Sequence, residues 1–157
     1  MAKTPLLTLN FRGDKALSKA LDELAGSINR RVIKGATGKA MKPVVKSAKE
    51  ILRPFDRTGQ LRKSIGMKQK KYPSGVMWTG VGPRKGFKIQ TEEFGPVNPV
   101  NYAHLIEFGT VRADARPFLR PAYDKNRTKV RGILNTELWA GIIKETNKAR
   151  AKSGGKR

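Results

Sequence analysis

Apolar positions follow two different periods along the chain, and the change of period marks out its elements. In residues 14–33, Leu17, Leu21, Leu24 and Ile28 recur at intervals of four, three and four, the stripe of a helix that buries one face. Ala16, Ala20 and Ala25 add helix propensity, and Asp14 after Gly13 suits an N-cap. "KGATGK" (residues 34–39) interrupts with two glycines. The helical spacing resumes at Met41, Val44, Val45, Ala48, Ile51 and Leu52. Pro43 fits the first turn of a second helix or a kink in one long helix, and Pro54 ends the element.

From Ser64 the period becomes two. Ile65, Met67 and Gln69 alternate with Ser64, Gly66, Lys68 and Lys70, predicting a half-exposed strand. Tyr72–Gly75 carries turn chemistry, Val76–Gly82 predicts the partner strand, and Gly86–Gln90 a third. Glu93–Asn101, with two prolines and a glycine, predicts a loop. Tyr102–Gly109 predicts about two helical turns stopped by Gly109. Pro117 and Pro121 bracket "FLR" and dictate an extended or turning approach to a long helix, with Pro121 near its first turn. Tyr123, Val130, Leu134, Leu138 and Ile142 give that helix its stripe, which Gly132 and Gly141 each weaken by about 1 kcal/mol relative to Ala.

Segregated helices and hairpin strands predict an α+β fold. A small, mostly antiparallel sheet from about residues 61–90 packs against the N-terminal helices and the long C-terminal helix. The 157 residues suffice for one domain with a real core, read as residues 1–150. Residues 151–157 form a basic flexible tail.

Charge changes the picture more than composition does. Lys and Arg number 34 against 12 Asp and Glu, a net +22. The excess is spread: 13 basic against 5 acidic residues over 1–60, 8 against 3 over 61–110, and 13 against 4 over 111–157. Such a surface attracts polyanions, whether nucleic acid or acidic neighbouring proteins. No apolar run reaches the roughly 18–20 residues of a membrane span, and the N-terminus lacks the apolar core of a secretory signal. The absence of cysteine excludes disulfides, thiolate catalysis and Cys-ligated zinc.

The only histidine, His104, stands three residues before Glu107, on one face of a helix. A zinc site needs about four ligands, and only Asp114 and Asp124 lie nearby. The reading that fits better has His104 partly exposed and Glu107 paired with Arg112, Arg116 or Arg120. Ser64, Ser47 and Thr58 lack the His and acid spacing of a nucleophile. "GVGPRKG" (Gly80–Gly86) matches neither a Walker loop nor a dinucleotide fingerprint and reads as a basic loop tip. Adjacent Glu92 and Glu93 would point to opposite faces of a strand. No enzyme, metal or cofactor is predicted. Zinc-finger spacing, a basic region with heptads and aromatic RNA-binding strands are also missing, so any contact with DNA should be to phosphates and independent of sequence.

Three motifs in order carry a resemblance: Thr58, Gly59, Leu61, Arg62, Ser64 and Ile65; then Tyr102, Ala103, Glu107, Gly109 and Thr110; then Pro117, Phe118, Leu119, Pro121 and Ala122. With the elements between them, they resemble the neck or tail-completion (minor tail component) family of long-tailed bacteriophages over about residues 14–145. The resemblance implies a non-enzymatic structural protein of the virion neck, part of a ring around the DNA channel that joins tail to head. It implies a homo-oligomer, with six copies as the starting expectation. Implied partners are a head-side connector or stopper protein, the tail terminator or tail tube, and double-stranded DNA passing through, with assembly in the host cytoplasm and no membrane. The alternative is a sequence-independent nucleic-acid-binding protein. Assembly candidates are Thr58, Gly59, Leu61, Arg62, Tyr102, Glu107, Phe108, Gly109, Thr110, Pro117, Phe118, Leu119 and Pro121. Candidates for contact with DNA or an acidic partner are Lys68, Lys70, Lys71, Arg84, Lys85, Lys148, Arg150, Lys152, Lys156 and Arg157.

Overall fold

The computed structural model describes residues 26–72, 76–87, 89–91 and 95–154. The predicted stripe at Leu17, Leu21 and Leu24, the turn at residues 73–75 and the Glu92–Glu93 pair lie outside them, as does the side chain of Ile28.

Helix α1 runs without interruption from Gly26 to Leu52. The break predicted at Gly35–Gly38 does not occur, and Pro43 lies inside the helix. Burial explains the difference. Val32, Ala36, Ala40, Met41, Val44, Ala48 and Leu52 are all buried in the core, so one face is held along its whole length. That burial outweighs about 1 kcal/mol for each glycine and the hydrogen bond that Pro43 cannot donate.

The partner of α1 is helix α4, Leu119–Gly154, which buries Leu119, Ala122, Val130, Leu134, Leu138 and Ile142. The two helices are antiparallel. Arg31 meets Glu145 at 3.9 Å and Lys39 meets Glu137 at 2.6 Å. Between these pairs the backbones come close: a Cβ on Gly141 would stand 2.5 Å from Val32 Cγ1. The glycine that weakens the isolated helix therefore makes room for its neighbour. Residues 155–157 lie outside the described residues.

Between the two long helices the chain makes a short helix α2 (Gln60–Ser64) and an antiparallel hairpin, β1 (Ile65–Lys71) with β2 (Met77–Pro83). The sheet thus begins at Ile65 and not at Leu61, because Asp56 caps a helical turn first: its Oδ2 accepts the Arg62 N–H at 2.6 Å. In the hairpin, Met67 pairs with Val81 and Gln69 with Thr79. Val81 and Thr79 are buried, and the Gln69 amide donates to the Lys34 carbonyl (2.9 Å) and Thr37 Oγ1 (2.8 Å). These contacts seat the hairpin on one flank of α1, while Lys68, Lys70 and Lys71 remain exposed.

The third predicted strand forms at Ile89–Thr91 (β3), but it pairs with Gly95–Val97 (β4) as a separate two-stranded sheet. The supposed loop therefore holds a strand, followed by a 3-10 turn at Pro99–Asn101. Pro96 lacks an N–H but sits opposite Gln90 in a two-stranded ladder, where an edge is always available. Asn98 fixes the corner, accepting from Val100 N–H at 3.0 Å and donating to the Lys85 carbonyl at 2.8 Å. Helix α3, Ala103–Phe108, precedes the final loop. The fold is α+β, a helix pair bearing a small antiparallel hairpin.

Candidate assembly surface

The segment from Tyr102 to Pro121 is organised by one buried carboxylate. Glu107 is 6% exposed. Its Oε2 accepts the N–H groups of Phe118 (2.8 Å) and Leu119 (3.0 Å), and its Oε1 accepts Arg120 N–H (3.1 Å). These amides open α4, whose first N–H groups have no partner within the helix. The carboxylate supplies that partner and places a negative charge at the positive end of the helix dipole. Glu107 therefore pairs with backbone and not with Arg112, Arg116 or Arg120. The two salt bridges among the described residues both lie between α1 and α4. His104 is exposed.

The loop between α3 and α4 is exposed yet tied down. Gly109 ends α3 at φ 75° and ψ −178°, a conformation open essentially to glycine alone. Thr110 and Ala113 exchange backbone hydrogen bonds at 2.8 and 3.3 Å, and Thr110 Oγ1 accepts Arg112 N–H at 3.2 Å. Arg116 N–H donates to the Ile106 carbonyl at 2.8 Å, and its guanidinium lies 5.1 Å from the centre of the Phe55 ring. From this frame Leu105, Phe108 and Val111 project into solvent, with Phe108 68% exposed and Val111 fully so. Tyr102, at the base of α3, is half-buried. Burial, and secondarily the Asp56 carboxylate, raise its phenol above the usual 10.0.

The predicted assembly residues divide between interior and surface. Leu61, Phe118 and Leu119 are fully buried in the chain's own core, and Gly59 is buried at φ 68°. Arg62 and Tyr102 are half-buried. Thr58, Phe108, Thr110, Pro117 and Pro121 are exposed. Thr58 Oγ1 lies 3.4 Å from both Gln60 N and Asp56 Oδ1, at the start of α2. Among the basic candidates Lys68, Lys70, Lys71, Lys85 and Lys148 are exposed, with Lys70 Nζ 5.1 Å from the Tyr72 ring centre. Arg84 lies over Phe87 and donates to the carbonyls of Lys63 (3.1 Å) and Ser64 (3.4 Å), which anchors the end of the hairpin. The side chains of Arg150 and Lys152, and all of Lys156 and Arg157, lie outside the described residues.

Two surfaces are absent from the predicted set. Trp139 and Ile143, four apart on α4, are 41% and 55% exposed and share a helix face. The second is a groove of about 480 Å³ between α1 and α4, lined by Lys39, Lys42 and Lys46 from one helix and Lys125 and Lys129 from the other. Spacings of three and four in the sequence signal each row separately, but only the antiparallel pairing sets the rows face to face. Among the described residues no group of three His, Cys, Asp or Glu side chains could hold a metal ion, and no helix is long and apolar enough to cross a membrane.

Compared with known proteins, residues 15–109 match the model of a family described as "Bacteriophage HK97-gp10, putative tail-component". No curated protein and no solved structure matches the chain.

Proposed function

The chain belongs to the HK97-gp10-like family of bacteriophage tail components, and from that premise we propose that it is a non-enzymatic subunit of the virion neck. In this reading several copies form a ring around the DNA channel and join tail to head. Membership of the family makes the protein a structural component of the virion. The neck position, the ring, the six-fold starting expectation and the connector, stopper, terminator and tail-tube partners belong to the proposal.

The observation that carries it is the braced loop. A monomer gains nothing from holding Leu105, Phe108 and Val111 out in water, whereas an apolar group presented on a fixed backbone binds with little further loss of entropy. A closed ring needs heterologous contacts, one surface of each subunit meeting a different surface of the next. Trp139 and Ile143 offer such a second surface. Position 139 lies twenty residues beyond the start of α4 at Leu119, about 30 Å along the helix, so the two patches are distinct. The Phe108 loop of one subunit then seats against Trp139 and Ile143 of its neighbour.

A cryo-EM map of the virion neck tests the assignment, with a ring of this chain at the head–tail junction as the expected result. In phage carrying Phe108→Ser, unjoined heads and tails should accumulate while the purified variant keeps its circular dichroism spectrum. Normal particle yield from that variant removes the loop from the joining step. The net charge of +22 favours the second reading, a protein that coats nucleic acid without regard to sequence. That reading requires the chain to be absent from the neck and bound along DNA.

A further inference from the structure

We propose that the lysine groove between α1 and α4 binds the phosphate backbone of duplex DNA. Lys39, Lys42 and Lys46 follow one another at three and four residues, and Lys125 and Lys129 at four, so each set shares a helix face. The antiparallel packing turns the two rows toward one concavity. Lys39 is neutralised by Glu137 at 2.6 Å. Lys42, Lys46, Lys125 and Lys129 have no carboxylate among the described residues within the 4.0 Å of an ion pair, although Glu50 also lines the groove. Four like charges around one concavity repel one another, and a bound polyanion would relieve that repulsion.

The lining indicates which anion. It contains no aromatic side chain, so bases have nothing to stack on. It contains lysine and no arginine, which suits point-charge contact with phosphates and lacks the planar fork that grips carboxylates in pairs. Its apolar residues are Pro43 and Ile133, too little to anchor a protein helix, whose binding energy concentrates in buried apolar groups. Lys39 to Lys46 spans about 10 Å of helix, comparable to about three base-pair steps of one DNA strand. The hairpin lysines belong to a different surface, because β1 docks on the flank of α1 that carries Lys34 and Thr37.

The inference uses the neck reading only for where DNA would be met; the binding itself is a property of the isolated chain. The test is fluorescence anisotropy of a short mixed-sequence duplex with full-length protein across a salt series. The comparison is wild type, the quadruple variant Lys42→Gln/Lys46→Gln/Lys125→Gln/Lys129→Gln, and the hairpin variant Lys68→Gln/Lys70→Gln/Lys71→Gln. Each engaged lysine contributes about 0.9 to the slope of log affinity against log salt. The quadruple variant should therefore lose up to about 3.6 of that slope, with unchanged circular dichroism and an unchanged or raised melting temperature. The hairpin variant should lose distinctly less per charge. Equal losses per charge would mean diffuse attraction by the whole surface and overturn the proposal. So would a wild-type slope in the quadruple variant, or capture of an acidic peptide by the groove without effect on DNA. A neck map lacking this chain would end the neck reading and leave the groove result standing.

Discussion

Replacing Glu107 tests whether the loop is braced as described. In Glu107→Ala the N–H groups of Phe118, Leu119 and Arg120 lose their acceptor, and those of Phe118 and Leu119 are buried. An ordinary exposed cap contributes about 0.5–2 kcal/mol. A buried donor left without a partner costs about 1–3 kcal/mol, and the missing side chain leaves a space that water can partly fill. Together these give a loss on the order of 3–5 kcal/mol. For a chain of this size, about 2–4 °C per kcal/mol makes that a fall in melting temperature of roughly 6–20 °C. Glu107→Gln keeps one acceptor oxygen but turns an amide NH2 toward a backbone donor, and should cost about 1–3 kcal/mol. Urea denaturation supplies the free energies, with exposed His104→Ala as the control expected within about 0.5 kcal/mol of wild type. Hydrogen exchange supplies the location: amides 118–120 should lose protection first. An Ala variant within about 1 kcal/mol of wild type, with those amides still protected, would refute the bracing role.

Gly109→Ala would place a Cβ 2.7 Å from the Ala115 nitrogen at φ 75°, so chemical denaturation should register a loss of about 1–3 kcal/mol; a neutral result refutes the strained turn. Thr79 Oγ1 is buried with no hydrogen-bond partner among the described residues, and Thr79→Val should therefore stabilise by about 1 kcal/mol, a loss of stability counting against it. Gly141→Ala should destabilise despite its better helix propensity, because the new methyl meets Val32 at 2.5 Å; Val32→Ala in the same chain should restore most of the loss, and failure to rescue would show that the closeness is not the cause. The Tyr102 phenol is raised by burial and by Asp56 above 10.0, so the folded state holds the proton more tightly than the unfolded one. Its contribution is full below about pH 10 and is lost as pH rises through the folded value; Tyr102→Phe should flatten that alkaline decline relative to wild type, and identical pH profiles would contradict the shift.

Periodicity reveals elements whose burial is local and regular. The stripe from Val130 to Ile142 and the alternation from Ile65 to Gln69 both became elements of the expected kind. It misjudges places where contacts distant in sequence outweigh local preference. Gly35 and Gly38 read as an interruption, and Pro43 as the first turn of a second helix or a kink in one long helix; α1 runs through all three because α4 covers its buried face. Gly95–Val97 reads as loop, yet pairing with Ile89–Thr91 makes it a strand. Glu107 shows the same limit at the candidate site. Its partners lie 11 to 13 residues away and are backbone N–H groups, which carry no side-chain signature. Its spacing to nearby arginines suggested ion pairs that do not form.

The fate of the carboxylates bears on how copies of this chain could assemble. Asp56 accepts the Arg62 N–H, Glu107 caps α4, and Glu137 and Glu145 hold α4 to Lys39 and Arg31. The other eight acids do not balance 34 lysines and arginines, and the chain carries +22. Two identical subunits approaching each other repel, increasingly so at low salt. Net charge therefore opposes contact between copies in the proposed ring; uncharged side chains such as Phe108, Val111 and Trp139 can supply attraction against it, and a polyanion shared among the subunits can offset the repulsion. The apolar loop and the lysine groove meet these two requirements separately. A mutation in one should disturb contact between protein subunits, and a mutation in the other the contact with DNA.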